Sequence, residues 1–420
     1  MRVIGFDAWT VGVHHYQRLV EAFTRKDLEL ILIHLGSWGH EKGRLTEELI
    51  GNLRVRDISF YGGKSFREIL QLENPAAVIF LSTDAFAHRA FNRYCRLCNV
   101  PAIHLFHGLQ QLMDISYEVK KYKRIWQQKR LVLDSFRNFW PAYARSLWET
   151  EASPREWFRF AQDIFGRARG YRPKTAAKDS RTDKACVYID SEIRCATDGY
   201  GYLEEDVFAV GNPDLIAFGM SLDMIGSRIQ HMSTKPQVMY IDTALIDYGF
   251  VFDSKDDFVR HVIQTQSELS RQEKHLIFKP HPAQYPEVVS AIANAGVEIC
   301  SKENFLASLQ ACCACITEPS TASLMPGLMG MPLFLAQYGN LRGQSFGKLI
   351  NSYPRAQPLV DLRDFNSLLA KEQAKLEAER TMRWIGQHTG PLPAESMPDR
   401  VANVVLALVH ERQGAARAVL

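Results

Sequence analysis

Short apolar runs alternate with longer segments of helical pattern through the first half of the chain. Segments 16–25 and 85–98, for example, have apolar residues at helical spacing and lie between two such runs. This alternation is typical of βαβ units, which build a parallel sheet. The runs, rich in Val, Ile, Leu and Phe, lie at 3–6, 28–34, 55–60, 77–81 and 102–106.

The pattern continues in the second half. Runs at 185–190 and 206–210 are predicted to be the last strands of the first domain. A further series lies at 237–242, 276–279, 297–300, 312–317 and 332–335, with helices predicted at 254–271, 322–329, 366–379 and 400–413. We therefore predict an α/β fold with two Rossmann-like domains, 1–216 and 217–385, and a C-terminal helix in 386–420.

The segment 116–172 is different and is predicted to be a helical insertion in the first domain. Lys and Arg residues are interleaved there with Trp, Phe and Tyr. The aromatic residues could pack on the sheet and leave a solvated basic face. Alternatively, the segment could lie on an anionic membrane surface or hold a lipid-linked acceptor. Nucleic acid is not an expected partner, because no recognised nucleic-acid-binding module accompanies the basic residues.

Composition narrows the class of protein. The 420 residues include 50 Lys and Arg against 47 Asp and Glu, which gives a net charge of +3, and 46% are hydrophobic. These values are typical of a globular protein, and no apolar run of about 18 residues predicts a membrane span. The eight cysteines follow no disulfide or zinc spacing, and the first seven residues resemble a strand more than a signal peptide. We therefore expect a cytoplasmic protein, able to associate with the inner face of the membrane.

Two predicted strand ends in the second half carry the candidate chemistry. The strand at 276–279 leads into Lys-Pro-His-Pro at 279–282, and the strand at 312–317 leads into Glu-Pro-Ser-Thr at 318–321. The carboxyl ends of parallel strands meet at one edge of the sheet, where open α/β sheets bind ligands. We expect the following residues there to bind a nucleotide: Lys279, Pro280, His281, Glu318, Ser320, Thr321 and Ser323.

Each of these residue types suits a nucleotide phosphate or its ribose. His281, whose flanking prolines restrict the backbone, can stabilise a departing phosphate, and Lys279 adds positive charge close by. Ser320 and Thr321 offer hydroxyl groups and backbone N–H groups at the start of a predicted helix. Glu318 can accept hydrogen bonds from a ribose or a base. The alternatives are that His281 only shapes a turn and that the hydroxyl groups only cap a helix.

The first domain has candidates in matching positions. Asp7, Gly12, His14 and His15 lie in the loop after the first predicted strand, and His107 follows the fifth. Gly12 permits close backbone approach, while Asp7, His14 or His15 could act as a base. Gly12, His15 and His107 are predicted to bind the acceptor. The alternative for Asp7 is capping of the following helix.

Asp242 and Asp247 follow the first predicted strand of the second domain. Because this strand end also faces the ligand-binding edge, both are candidate catalytic carboxylates; the alternative is a cap or a solvated loop. No two Asp residues have the Asp-x-Asp spacing of a metal-holding pair. We therefore expect neither a metal site nor a cofactor.

The Lys-Pro-His-Pro and Ser-Thr motifs resemble those of bacterial GT-B glycosyltransferases with a His-Pro motif. These are the sialyltransferases, polysialyltransferases and Kdo transferases of capsule and lipopolysaccharide synthesis. The resemblance covers about residues 217–361 and implies two sheets facing a central cleft, a CMP-activated donor, no metal, and His281 at the phosphate. The acidic base motif of the sialyltransferases has no clean copy, which leaves the base unassigned. In some Kdo transferases a carboxylate on the corresponding first loop is the nucleophile, a position that Asp242 or Asp247 would fit.

The resemblance implies transfer of a sialic-acid-like or Kdo-like sugar from CMP to a bacterial surface glycan or glycolipid. A CDP-glycerol-type polyol-phosphate transferase is an alternative, because such enzymes also use a His-Pro loop. Val-Gly-Asn-Pro at 210–213 suggests another, an enzyme similar to UDP-sugar 2-epimerases. The third alternative is a non-catalytic binding subunit of a polysaccharide synthesis complex.

Overall fold

The computed structural model describes residues 1–7, 12–39, 45–109, 135–168, 178–230, 235–244, 251–344, 346–374 and 377–418. These residues form two compact units. Unit 1 contains those within Met1–Gly108, Lys120–Gly211 and Pro391–Leu420, and unit 2 contains those within Leu109–Val119 and Asn212–Gly390.

Unit 1 is built on a twisted parallel sheet. Its described strands are β1 (Arg2–Asp7), β2 (Glu29–His34), β3 (Glu47–Ile50), β4 (Leu53–Asp57), β5 (Ala77–Phe80), β6 (Ala102–Leu105), β7 (Lys184–Val187) and β8 (Val207–Ala209). They are ordered β3-β4-β2-β1-β5-β6-β7-β8, and only the β3–β4 hairpin is antiparallel. The strand β1 has β2 on one side and β5 on the other, so the strand order reverses its direction at β1. The carboxyl end of β1 is therefore a topological switch point, where open α/β sheets bind ligands.

The strand predicted at 55–60 is present, but both of its predicted bounds are wrong. The strand β4 begins at Leu53, where it forms a hairpin with β3, a strand that the sequence did not predict. It ends at Asp57, because Ile58–Tyr61 turns into a 3₁₀ helix. The carboxylate of Asp57 accepts a hydrogen bond from the backbone N–H of Ser59 and so caps this turn.

Helices cover the sheet of unit 1 and bury an aromatic core. Phe6 on β1, Phe80 on β5 and Phe91 are fully buried, and the rings of Phe6 and Phe91 stack with centroids 4.1 Å apart. These contacts fasten helix to sheet because aromatic side chains bury large apolar areas. The helices in this part of the unit are α1 (Val13–Thr24), α2 (Phe66–Glu73), α3 (Phe86–Leu97), α4 (Trp140–Glu149), α5 (Pro154–Ala168) and α6 (Ile193–Tyr200).

The described part of the basic and aromatic segment begins at Ser135 and is helical. Tyr143 on α4 and Phe160 on α5 are buried against Phe86 of α3, with ring centroids 5.2 and 5.3 Å away. By contrast, Trp148 is 79% exposed and Phe158 is 64% exposed. Of the alternatives for this segment, inward packing describes Tyr143 and Phe160, which lie against a helix and not directly on the sheet, while Trp148 and Phe158 face outwards.

Unit 2 is a second parallel sheet. Its described strands are β9 (Gln237–Ile241), β10 (His275–Lys279), β11 (Glu298–Ile299), β12 (Ala314–Thr317), β13 (Leu333–Ala336) and β14 (Ala356–Leu359), in the order β11-β10-β9-β12-β13-β14. Every pairing is parallel. The order reverses at β9, which has β10 on one side and β12 on the other. The predicted α/β class with two Rossmann-like sheets is confirmed.

Nine described helices accompany this sheet. The core between them contains Phe258, Phe278 and Phe334, all fully buried. The helices are α7 (Pro213–Phe218), α8 (Ser227–Gln230), α9 (Lys255–Ser270), α10 (Pro286–Asn294), α11 (Phe305–Ala311), α12 (Leu324–Met329), α13 (Gly347–Asn351), α14 (Phe365–Ala374) and α15 (Ala378–Thr389).

The last helix, α16 (Met397–Ala418), packs with unit 1 and not as a segment of its own. It contacts α1, and Arg25, which directly follows α1, forms an ion pair of 2.9 Å with Asp399. Arg400 donates hydrogen bonds to the carbonyl oxygens of Val210 and Pro391. The sequence-based ranges 217–385 and 386–420 treat the chain as linear, whereas the end of the chain returns to the first unit. No described helix is long and apolar enough to cross a membrane.

Candidate functional site

Three neighbouring strand ends bring the predicted nucleotide-binding residues of unit 2 to one edge of the sheet. The strands β10 and β12 both pair with β9, in registers that end at Ile241 opposite Lys279 and Thr317. The loops that begin at Asp242, Pro280 and Glu318 therefore start side by side. Their position at the switch point of the sheet agrees with the expectation drawn from the two motifs.

Asp242 links two of these loops from a buried position. Its side chain is 2% exposed and accepts hydrogen bonds from the backbone N–H groups of Ala244 at 2.7 Å and His281 at 3.0 Å. A third bond of 2.8 Å comes from the amide nitrogen of Gln284. With its oxygens engaged and shielded, Asp242 is suited to positioning the His281 loop and not to attacking a substrate. Asp247 lies outside the described residues.

The His281 ring has a defined hydrogen-bonding state. Its Nδ1 accepts a hydrogen bond of 3.1 Å from the backbone N–H of Ala283. An N–H group only donates, so Nδ1 carries no proton and the neutral ring carries its proton on Nε2. The side chain is half-buried, between Pro280 and Pro282. The loop therefore presents an oriented imidazole whose Nε2–H can donate to a ligand.

Lys279 and Glu318, both predicted to contact the nucleotide, are buried inside unit 2. The Lys279 ammonium donates to the carbonyl oxygen of Pro280 at 2.9 Å and lies 5.5 Å from the ring centre of Phe305. Burial lowers the pKa of Lys279. Glu318 is fully buried, which is incompatible with direct contact to a ribose or a base. Because their side chains point inwards, both residues support the loops and do not line a ligand surface.

Glu318 belongs to a buried polar chain that sequence reasoning missed. Its Oε1 lies 2.8 Å from the hydroxyl group of Tyr240, and its Oε2 accepts a hydrogen bond of 2.9 Å from the backbone N–H of Thr243. The Tyr240 hydroxyl is also 3.2 Å from Nε2 of His261. Burial, with the charge of Asp242 adding to it, raises the pKa of Glu318 from 4.5 to about 8.

The charge states of this chain are mutually consistent. Burial lowers the pKa of His261 to about 4, so its ring is neutral at pH 7. A protonated Glu318 can donate to the Tyr240 hydroxyl, which can in turn donate to His261. The three side chains are then linked without a buried charge among them. Neither Tyr240 on β9 nor His261 on α9 belongs to a motif, so only the spacing of buried positions could have suggested them.

The hydroxyl groups of the loop that begins at Glu318 differ in their exposure to solvent. Ser323 is fully buried and its hydroxyl group bonds to that of Thr317, so it faces the interior. Ser320 is 3% exposed but precedes the 3₁₀ turn Thr321–Ser323 without a side-chain capping bond. Thr321 is exposed at the start of this turn. Of the predicted hydroxyl groups, Thr321 and the backbone around it are the accessible ones.

In unit 1, Asp7 and Gly12 meet at the end of β1. A Cβ atom on Gly12 would lie 2.7 Å from Oδ2 of Asp7 and 2.9 Å from Cδ1 of Leu81, so no larger residue fits without a shift. The carboxylate of Asp7 also lies 3.6 Å from Nε2 of His88. The close approach expected of Gly12 therefore occurs, but within the protein.

Three imidazoles cluster beside this loop. The rings of His14 and His15 have centroids 3.9 Å apart, and those of His15 and His107 are 5.8 Å apart. Burial lowers the pKa of His15 to about 3, and the nearby Arg18 adds to the shift. His14 and His107 are exposed. His107 is far from His14 and His15 in the sequence. The three residues come together because β1, β5 and β6 are adjacent in the sheet.

The ring of His107 is held by a hydrogen bond to the backbone. Its Nδ1 is 2.7 Å from the carbonyl oxygen of Leu81. A carbonyl oxygen only accepts, so Nδ1 carries the proton and Nε2 of the neutral ring has a free lone pair. The ring thus has the opposite tautomer from His281. One imidazole can accept a proton, and the other can donate a hydrogen bond.

The described residues do not form a metal site. Among the described parts of the chain, no group of three or more His, Cys, Asp or Glu side chains is arranged to hold a metal ion. All eight cysteines are free, and most are buried in the two units. The unit 2 edge offers the ring of His281 and the hydroxyl group of Thr321, and the unit 1 edge offers the imidazoles of His14, His15 and His107.

Comparison with known proteins gives similarity in fold alone. No protein-family profile and no curated protein sequence matches the chain. Among solved structures, CalG4, the calicheamicin glycosyltransferase, is 12% identical, covers 97% of this chain and 98% of its own, and has a TM-score of 0.52. MnaA of S. aureus with UDP is 11% identical over 97% of both chains, with a TM-score of 0.47. A variant of the wall teichoic acid polymerase TagF is 13% identical over 99% of this chain and 90% of its own, with a TM-score of 0.49.

The similarity to CalG4 spans both units and agrees with the two parallel sheets described above. The chain therefore has the two-domain GT-B glycosyltransferase fold.

Proposed function

We propose that this protein is a glycosyltransferase that uses a nucleotide-activated sugar. The observation that carries the proposal is the His281 loop at the switch point of unit 2. Its backbone N–H is bound by buried Asp242, and its ring is set by Ala283 so that Nε2 carries the proton. An oriented donor of this kind can stabilise the negative charge that develops on a leaving phosphate.

The neighbouring groups suit the same phosphate. Thr321 and the backbone N–H groups of its turn lie at the end of β12, two strands from His281 with only β9 between them. The nearby carboxyl groups do not oppose an anion strongly. Glu318 is buried and favours the protonated form, while the charge of Asp242 is compensated by three donors. The edge therefore favours a phosphate over a cation.

Unit 1 would supply the acceptor side of the reaction. His107 suits the role of general base, because its Nε2 has a lone pair and the ring is exposed. His15 is a weaker candidate, since burial lowers its pKa to about 3. In this mechanism the base takes the proton of the acceptor hydroxyl group, the acceptor oxygen bonds to the anomeric carbon, and the bond to the nucleotide phosphate breaks.

For the donor we propose a CMP-activated sialic-acid-like or Kdo-like sugar. The support is the Lys-Pro-His-Pro motif at 279–282 and the Ser-Thr pair at 320–321, which resemble the CMP-binding motifs of that family. The proposed acceptor is a bacterial surface glycan or glycolipid. Trp148 and Phe158 are exposed and lie on α4 and α5, which also carry basic residues. This combination favours binding to the inner face of a membrane. Sedimentation with anionic vesicles, which should weaken in a Trp148→Ala variant, tests this location.

A thermal-shift panel with CMP, CDP, UDP, GDP and ADP tests the donor site. At a hundredfold excess over its dissociation constant, a ligand specific for the native state adds about 2.7 kcal/mol to the free energy of unfolding. We expect CMP to stabilise the wild type and the His281→Ala variant to lose this response. His275→Ala is the matched control, because His275 is exposed at the opposite end of β10.

Each result of the panel has a defined meaning. Stabilisation by CMP that survives in His275→Ala but not in His281→Ala supports the proposal. A preference for CDP favours the polyol-phosphate transferase, and a preference for UDP favours a UDP-sugar enzyme such as an epimerase. No response to any nucleotide contradicts the transferase and favours a non-catalytic subunit.

A further inference from the structure

Unit 1 has a cavity of about 800 Å³ on its helical layer. It lies between the second half of α3, the start of α5 and the turn Lys178–Ser180. We propose that this basic cavity binds a phosphate-bearing ligand. The proposal does not depend on the proposed glycosyl transfer. The cationic residues that line the cavity are Arg89, Arg93, Arg96, Arg155, Arg159 and Lys178.

The floor of the basic cavity is already neutralised. Arg89 is 3% exposed and forms ion pairs of 2.6 Å with Asp163 and 2.9 Å with Asp179. Arg93 pairs at 2.7 Å with Glu156. Breaking a buried network of this kind is costly, because each remaining charge would be left without compensation. The floor therefore acts as a rigid support and adds no net positive charge to the cavity.

The rim is different. Among the described residues, Arg96, Arg155 and Lys178 have no carboxylate oxygen within 4 Å, and all three are exposed. The guanidinium group of Arg96 donates instead to the carbonyl oxygen of Arg181. Although the end of its side chain reaches solvent, partial desolvation of Arg96 lowers its pKa; the charges of Asp179 and Asp183 oppose this shift, while Arg181 and Arg93 add to it. An anion bound between Arg96, Arg155 and Lys178 would be attracted by each of these cations.

The chemistry of the rim selects a phosphate group. A guanidinium group offers paired N–H donors that match phosphate oxygens, and two arginines flank the cavity with a lysine as a point charge. Thr150 and Ser153 also line the wall, but their hydroxyl groups are engaged with Arg93 and Glu156, so the rim cations provide the recognition. The volume lies within the range of about 300–1,000 Å³ of small-ligand sites, so the cavity can hold more than a lone inorganic ion.

The basic cavity is distinct from the sheet edges. Arg89, Arg93 and Arg96 lie on one face of α3, at spacings of four and three residues. The helix α3 follows β5, so it begins near the carboxyl edge of the sheet and runs away from it. Arg96 lies about 15 Å further along the axis than Phe86. A ligand here would be held away from His107 and the end of β1.

Titration with inorganic pyrophosphate at constant ionic strength tests the site. The experiment uses full-length His281→Ala, so that binding at the unit 2 edge does not contribute. We expect this variant to bind pyrophosphate saturably. Adding the double substitution Arg155→Ala and Lys178→Ala should weaken the affinity at least about tenfold. The control pair, Arg54→Ala and Lys64→Ala, removes the same charge from exposed positions of unit 1 outside the cavity and should leave the affinity unchanged.

Two further arms identify the source of the phosphate. Vesicles of phosphatidylcholine are compared with vesicles that also contain phosphatidic acid. If pyrophosphate displaces the protein from phosphatidic acid vesicles, the natural ligand is a lipid headgroup. If the protein binds pyrophosphate but not the vesicles, the natural ligand is soluble. Both results support the site. Absence of saturable pyrophosphate binding, or equal weakening in the cavity and control pairs, overturns it. A nucleotide response in the wild type is a separate measurement, so failure of this site leaves the proposed transferase function unaffected.

Discussion

Replacing Glu318 by Gln should remove a pH dependence of stability from the protein. In the folded chain Glu318 favours its protonated form, because burial and the charge of Asp242 raise its pKa from 4.5 to about 8. Gln preserves the shape of this neutral carboxyl group. Its oxygen can accept from the backbone N–H of Thr243, and its amide nitrogen can donate to the Tyr240 hydroxyl group, which lies 3.2 Å from Nε2 of His261. The polar chain should therefore remain, but without a titrating group.

The sign of the effect follows from proton binding. Between pH 4.5 and 8 the folded state holds a proton on Glu318 that the unfolded state has lost, so stability falls as the pH rises through this window. Each unit of the shift corresponds to about 1.36 kcal/mol, and the loss between pH 5 and 8 comes to about 3 kcal/mol. Because the pKa of His261 is lowered to about 4, His261 does not titrate in this window in the folded state.

Urea denaturation of the full-length wild type and Glu318→Gln at pH 5 and 8 measures this loss. We expect the wild type to lose about 3 kcal/mol more between the two pH values than the variant does. Glu298→Gln is the control, because Glu298 is exposed on β11 of the same sheet and should behave as wild type. Equal pH dependence in the wild type and Glu318→Gln would refute a protonated Glu318 at neutral pH.

Two further substitutions test the site residues. Asp242→Ala leaves three donors unpaired, including the backbone N–H of His281, and should cost about 3 kcal/mol in urea denaturation and abolish the nucleotide-induced thermal shift. An unchanged shift would contradict the positioning role. His107→Asn should lower kcat for transfer by about 10²- to 10⁴-fold and leave the nucleotide-induced thermal shift unchanged, because His107 lies in unit 1. A full transfer rate in this variant would exclude His107 as the base.

The fold could be predicted because its information is local. Apolar runs at 3–6 and 77–81 became β1 and β5, and the run at 276–279 became β10, because a strand buried on both faces must be apolar throughout. The two motifs follow β10 and β12 directly, and parallel strands place such loops at one edge. The position of the candidate site in unit 2 was therefore predictable as well.

The hairpin of β3 and the return of α16 to unit 1 were harder to predict. The strand β3 is half exposed at the sheet edge, so its sequence has no continuous apolar run. The contact of α16 with α1 joins segments that are far apart in the chain, through an ion pair between Arg25 and Asp399. No local pattern specifies a partner at that distance.

By itself, the sequence determined the fold class, the strands that carry the motifs and the edge to which those motifs belong, because these follow from periodicity and from the geometry of parallel sheets. Only the tertiary structure decided which polar side chains reach solvent. Lys279, Asp242 and Glu318 lie inside unit 2, while His281 and Thr321 remain accessible. Burial, tautomer and pKa depend on neighbours that distant segments provide, so the same motif could not reveal them.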